Sequence, residues 1–310
     1  MKLPIDIAKS WKIIKNTFTE FNDDNAIKLS ASLSYYTIFS LPPLLIVIIS
    51  LCGIFLGKDA VRGEIFGQIN GLVGNDAAIQ IQDILKNAQL KGDNVFAAIV
   101  GVITLLLGAS GVFGEIQSSI NFIWALKAKP KRGVMKFLKN RLMSFSMVGC
   151  MGFLFLVSLI VNAAMDVLSN KLEQIFPKIA VELFYVLNLA LVFAIITALF
   201  CVIFRTLPDG KISLRHTIVG SSLTAILFMI GKFAIGAYLS HSNIASTYGA
   251  AGSVVLMLVW VYYSAIILYF GAEFTKVYTK MYEKNVIPNN YAVIIDKEIE
   301  EIEPKVKTNS

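Results

Sequence analysis

The sequence predicts an all-α fold: a polytopic membrane helix bundle of about six transmembrane helices with both ends on the inner, cytoplasmic face. Three observations carry this. The 310 residues are 56% hydrophobic and only 16% charged, with a mean hydropathy of +0.67, too little polar surface to clothe a water-soluble globule. The apolar residues are gathered into runs near the ~20 residues a helix needs to cross a hydrocarbon core about 30 Å thick. The segments joining the runs alternate between rich and poor in Lys and Arg.

The runs fall at about 31–56, 95–118, 142–165, 180–204, 217–240 and 252–275. Each is expected to be helical, because an open strand in lipid leaves backbone N–H and C=O groups unpaired at several kcal/mol each. Lys127, Lys129, Lys131, Arg132, Lys136, Lys139 and Arg141 follow the second run, whereas Lys171 and Lys178 alone follow the third. Arg205, Lys211 and Arg215 follow the fourth, and no Lys or Arg separates the fifth from the sixth. The positive-inside rule then sets an N-in, C-in threading in a bacterial-type inner membrane, with the stretch 57–93 outside.

Outside the spans, Ile7, Trp11, Ile14, Phe18 and Phe21 recur at helical spacing among Lys9, Lys12 and Lys15. This describes an amphipathic N-terminal surface helix, lying on the inner leaflet or on the protein's own inner loops. Val61, Ile65 and Ile69, then Ala77, Ile81, Ile84 and Leu85, predict an outer helical hairpin over 57–93. Residues 1–285 form a single transmembrane domain, and the charged stretch 286–310 reads as a disordered cytoplasmic tail. A cleavable signal peptide is not expected, since no apolar core precedes residue 31. Cys52, Cys150 and Cys201 fall inside runs and read as small buried residues, not as disulfide partners.

Polar residues that hydrocarbon should exclude mark a candidate substrate path. Lys232 lies two-thirds of the way through the fifth run, Glu273 near the inner end of the sixth and Glu115 near the inner end of the second. An ionised group at such depth faces a partner or a water-filled space, or snorkels to the headgroups. Asp166 and Glu182, near the outer ends of the third and fourth runs, are candidate partners for Lys232. Pro42 and Pro43 remove backbone hydrogen bonds in mid-span and predict a break or kink in the first helix, with Tyr35, Tyr36 and Ser40 offering hydroxyls beside it. Tyr248 and Gly249 join the set as a polar group and a bare backbone near an interface. Gly108, Gly111 and Gly114, like Gly249, Gly252 and Gly271, suit close helix packing or a cavity lining.

Several segments together resemble one family. Ala31-Ser32-Leu33-Ser34-Tyr35-Tyr36-Thr37-Ile38-Phe39-Ser40-Leu41-Pro42-Pro43-Leu44-Leu45 is similar to the first-helix signature of the YihY/BrkB membrane proteins, also known as the UPF0761 type. Ser246-Thr247-Tyr248-Gly249-Ala250-Ala251-Gly252-Ser253, Trp260-Val261-Tyr262-Tyr263-Ser264 and Gly271-Ala272-Glu273 resemble its late segments. Asn121-Phe122-Ile123-Trp124 and Leu207-Pro208-Asp209 fit as well, so the likeness runs over roughly 20–280. Pro42 departs from the pattern, where members more often carry an aromatic or aliphatic residue. The resemblance implies a largely uncharacterised membrane protein, linked by name to virulence or serum resistance. The family was once mislabelled a transfer-RNA-processing ribonuclease, and a role in envelope lipid transport has been suggested for it.

The residues discriminate among these. Metal-assisted hydrolysis needs clustered His, Asp or Glu ligands, but His216 and His241 are expected on opposite faces, as are Asp23-Asp24 and the pair Asp166 and Glu182. No catalytic set, metal site or cofactor is called for, and nucleic acid is not an expected partner. The reading is a transporter or exporter of an amphipathic anion such as a lipid, in a bundle whose partners are membrane lipids. A non-catalytic envelope scaffold is the alternative, and oligomeric state stays open.

Overall fold

The computed structural model describes residues 7–56, 58–73, 78–79, 82, 108, 111–128, 153, 177–241, 252–282, 286–289 and 291–295. Helices α1 (Ile7–Asp23), α2 (Ala26–Leu56) and α3 (Lys58–Val73) are followed by α4 (residues 111–123) and strand β1 (Leu126–Ala128). Then come α5 (Pro177–Thr206), β2 (Gly210–Lys211), α6 (Leu214–His241), α7 (Gly252–Tyr282), β3 (Ile287–Pro288) and β4 (Ala292–Ile294). The protein is a helical membrane protein. Among the described residues, Val186–Thr206, Leu214–Ile235 and Val254–Tyr282 are long and apolar enough to cross a bilayer.

The runs at 31–56, 180–204, 217–240 and 252–275 lie inside α2, α5, α6 and α7. Most of the run at 95–118, the run at 142–165 apart from Phe153, the basic loop from 129 onward and most of the outer hairpin lie outside the described residues. The first arm of that hairpin is α3, and it does not stand clear of the bundle. Its Val61 and Ile65 are buried with Ile49 of α2 and with Met257 and Val261 of α7.

Of the break or kink expected at Pro42-Pro43, the break is overturned. Helix α2 runs through both prolines as a single element of 31 residues. The prolines remove two i→i−4 bonds and leave the rest of the ladder intact, which a helix can bear where neighbouring protein supplies the freed groups.

α1 gives way to a turn at Asn25, whose φ of 51° lies in the left-handed region that Asn tolerates better than most residues. The turn redirects the chain into α2 and buries Asp24 at 6% exposure. Ile13, Thr17 and Phe21 are buried, and Phe18 and Phe21 contact Phe270 of α7 at 5.0 and 5.8 Å between ring centroids. Trp11, Ile14 and Phe18 form an exposed stripe beside that docked face. The helix therefore packs on the bundle along one face and keeps apolar side chains outward along another.

α6 and α7 cross antiparallel through small residues. Gly220 of α6 lies against Thr275 of α7, Thr224 against Gly271, and Gly231 against the ring of Tyr263. Each threonine hydroxyl donates to the carbonyl of the glycine one turn earlier on its own helix, Thr224 to Gly220 and Thr275 to Gly271, both at 2.7 Å. The crossing thus satisfies its polar groups within each helix and leaves the glycine faces free for close approach. On α4, Gly111 faces the Ser40 hydroxyl of α2, which a Cβ would meet at 2.7 Å, whereas Gly114 faces open space.

The connecting segments gather at one end. β1 pairs antiparallel with β4, Leu126 opposite Ile294 and Ala128 opposite Ala292, and β2 pairs with β3, Gly210 opposite Pro288. Ile287–Pro288 and Ala292–Ile294 therefore form strand pairings within the stretch that the sequence reads as disordered tail. The pairings bury Ala292 and half-bury Val286 and Val293, which a scan for sustained apolar faces passes over because each strand is only two or three residues long.

Candidate functional site

At the end where the strands gather, three carboxyl groups converge on one ammonium. Lys276 Nζ on α7 lies 2.5 Å from Glu20 Oε2 and 2.9 Å from Asp24 Oδ2, both brought in by α1 and its turn. It lies 3.0 Å from Glu273 Oε2, one turn earlier on its own helix. Lys276 and Asp24 are buried, Glu273 is 0% exposed, and Glu20 sits at the rim with Lys280 beside it at 3.4 Å. Burial alone would push the Glu20 carboxyl up. The hydrogen bond and charge of Lys276, joined by Lys280, outweigh burial and hold it below the usual glutamate range.

One oxygen of each carboxylate lies within 4.8 Å of the other two, a spacing that would suit a metal ion. The donor set does not fit one. Lys276 Nζ is within 3.0 Å of all three groups, so the position between them is held by a resident cation. Glu273 Oε1 is buried without a hydrogen-bond donor.

A second polar line runs deeper between α2, α4 and α7. Ser32 donates to Glu115 Oε1 at 2.6 Å, and the fully buried Tyr269 of α7 lies beside Ser119 and Glu115 of α4. Tyr269 is one turn before Glu273 on α7. Between α4 and the α5–α6 loop, the Asp209 N–H donates to Asn121 Oδ1 at 2.8 Å, and Asn121 Nδ2 donates back to Asp209 Oδ2 at 3.0 Å. Gln117 Nε2 adds a longer bond at 3.4 Å, and the Asp209 carbonyl accepts from the Asn289 N–H at 2.9 Å. Asp209 thereby ties α4, the α5–α6 loop and β3 together.

The residues singled out from the sequence are divided among these environments. Glu273 and Glu115 occupy the two polar sites on α7 and α4. Ser40 is buried against Gly111. Tyr35 and Tyr36 are 61% and 46% exposed and meet each other edge-on, with Phe39 5.0 Å from Tyr35. Lys232 is exposed on α6, next to Gly231 at the α6–α7 contact, with exposed Ile230 and Phe233 around it. Pro43 lies in α2 and Glu182 in α5, but their side chains are not among those described, and Asp166, Tyr248 and Gly249 lie outside the described residues. The two histidines sit near opposite ends of α6, roughly 37 Å apart at 1.5 Å per residue.

Sequence reasoning did not find Lys276, Glu20 or Asp24 as partners of Glu273. The available signal was the i, i+3 spacing of Glu273 and Lys276, which places opposite charges on one helix face. Lys276 lies one residue past the apolar run and so reads as a flanking charge.

Comparison with known proteins places this arrangement. The model of the family described as "Virulence factor BrkB" matches residues 17–292. The chain belongs to the BrkB family. Relatives of this BrkB-family chain include a "UPF0761 membrane protein" of Pseudoalteromonas atlantica, 26% identical over 279 residues, covering 88% of this chain and 89% of the relative. A second of the same description, from Saccharophagus degradans, is 27% identical over 264 residues, 84% of this chain and 58% of the relative. A third, from Stenotrophomonas maltophilia, is 25% identical over 273 residues, 86% of this chain and 61% of the relative. The chain thus spans nearly all of the first and about three-fifths of the other two. No solved structure matches it. The ion cluster and the Asn121–Asp209 clamp both fall within the matched range of the BrkB family.

Proposed function

We propose that this chain is a multi-pass inner-membrane protein of six spans, threaded N-in and C-in, that moves an amphipathic anion such as a lipid across the bilayer. The gathering of α1, β1, the α5–α6 loop and β3–β4 at one end supports the threading, since the positive-inside rule assigns these same segments to one face. The observation that carries the transport reading is Lys232. It is exposed within the apolar stretch Leu214–Ile235, and an ammonium at that depth needs water, a headgroup or a counter-anion. Ile230 and Phe233, exposed on either side of it, supply apolar surface for the remainder of an amphipathic molecule.

The test is translocation of a fluorescent phosphatidylglycerol across vesicles of phosphatidylethanolamine and phosphatidylglycerol holding the purified full chain. The wild type should move the probe, Lys232→Arg should retain most of the rate, and Lys232→Ala should lose it about tenfold, roughly one charge-assisted contact of 1.4 kcal/mol. A rate equal to protein-free vesicles would contradict the reading. Photo-crosslinking from position 232 should then decide for the scaffold alternative if it captures a stoichiometric protein partner instead of lipid.

A further inference from the structure

We propose that the cluster joining α1 to α7 is a proton-binding site, in which Glu273 carries the proton and Asp24 faces it as acceptor. The argument begins with charge. Glu20, Asp24 and Glu273 are three acids drawn together around Lys276, with Lys280 at the rim. Ionising all three crowds like charges in a place where Lys276, Asp24 and Glu273 are buried. A carboxylate withdrawn from water beside other carboxylates is costly to ionise, and neutralisation by a proton is the ordinary outcome.

A second observation identifies the carrier. Glu273 is 0% exposed, against 8% for the Asp24 side chain and 35% for that of Glu20, so ionisation is hardest to bear at Glu273. Its Oε2 accepts from Lys276, while its Oε1 is buried with no donor. Ionised, Glu273 would hold an unmet acceptor oxygen in a carboxyl group packed against another acceptor, the carboxyl group of Asp24. A proton on Glu273 removes the unmet negative charge, makes the group a donor toward its acidic neighbour and leaves the bond from Lys276 to Oε2 in place.

Charged and titratable groups of the described residues surround the site. α1 contributes Glu20 and Asp24, and α7 itself contributes Lys276 and Lys280. On α2, Lys28 is exposed, and on α4, Glu115 is engaged by Ser32. Arg215 of α6 is exposed, and His216 of α6 packs on Tyr278 and Tyr282. Because α1 supplies two of the three acids, proton occupancy is linked to docking of α1: loss of the proton sets Glu273 against Asp24 across that contact. Only the use of the proton as a coupling ion rests on the transport reading; its binding does not.

The experiment is infrared spectroscopy of the full chain in the same phosphatidylethanolamine and phosphatidylglycerol vesicles, titrated from neutral to alkaline pH. The protein should show the C=O stretch of a protonated carboxyl at neutral pH. The band should vanish as pH rises, be absent in Glu273→Gln and change frequency in Asp24→Asn. Since Gln resembles the protonated carboxyl, Glu273→Gln should fold normally and hold its melting temperature at alkaline pH where the wild type declines. No such band in folded wild type at neutral pH, or a band that survives Glu273→Gln, would overturn the proposal. A band without lipid translocation would leave the site standing and remove the transport reading; translocation without the band would do the reverse.

Discussion

Asn121 and Asp209, 88 residues apart, hold each other by two hydrogen bonds, one in each direction. The Asp209 carboxylate is buried at 3% exposure, and Asn121 satisfies both its oxygen and its backbone N–H, so α4 and the α5–α6 loop cannot separate without stranding a charge. Asn121→Ala should therefore cost about 1–3 kcal/mol, read as a lower melting temperature of the detergent-solubilised protein. Asn121→Asp should cost more, because it sets two carboxylates together. A melting temperature unchanged in both variants would mean the clamp contributes nothing.

The α6–α7 crossing predicts steric sensitivity. Any Cβ at Gly220 or Gly271 meets the threonine of the facing helix, whose own rotamer is fixed by its bond to a carbonyl. Gly220→Val and Gly271→Val should each cost about 1–3 kcal/mol by overpacking. Gly220→Ala should be destabilising too, and pairing it with Thr275→Ala, which removes the hydroxyl the new Cβ meets, should recover part of that loss if the contact is the cause. Gly114, which faces open space, should accept Ala with little change in melting temperature.

Removing Lys276 should be among the most damaging single changes on α7. Lys276→Met leaves Asp24 buried without its counter-ion, a loss of about 3–5 kcal/mol for a broken buried pair. Adding Asp24→Asn to Lys276→Met should restore part of that stability. Thermal unfolding of the single and double variants measures the coupling, and strict additivity would contradict the network.

Acidification should loosen α1 at its rim. Glu20 is held below the ordinary glutamate range when folded, so its contribution is present above that range and is lost as pH falls through the lowered value. With Glu20 35% exposed, solvent screening limits the effect to about 1 kcal/mol or less. Fluorescence of Trp11, in a variant where Trp124 and Trp260 are replaced by Phe, should report α1 release on acidification below the ordinary glutamate range. Glu20→Gln should lose the interaction at all pH values and flatten the transition.

The apolar runs were legible because burial in lipid demands length and composition together, and α2, α5, α6 and α7 enclose the runs at 31–56, 180–204, 217–240 and 252–275. The unbroken course of α2 was not legible at Pro42-Pro43, since local propensity registers two lost bonds but not what surrounds them. Glu273 was legible as an anomaly. Its partners were not, because Glu20 and Asp24 lie more than 240 positions away and reach it only through the left-handed turn at Asn25. Asn121 and Asp209 were each visible in a family-like segment, but nothing in one chain reveals that the two segments pair. The strands at 287–288 and 292–294 are too short to show a period and were read with the charged tail that follows.

The most direct test of the transport account is reactivity at position 232. Lys232 itself, in the full chain in sealed vesicles of phosphatidylcholine, should react with a membrane-impermeant amine-directed ester, read at that residue by mass spectrometry. Added phosphatidylglycerol should slow that reaction severalfold. A Lys232 that reacts only with a lipid-soluble reagent, or whose labelling rate ignores phosphatidylglycerol, would show that position 232 faces hydrocarbon or bulk headgroups and would contradict the account.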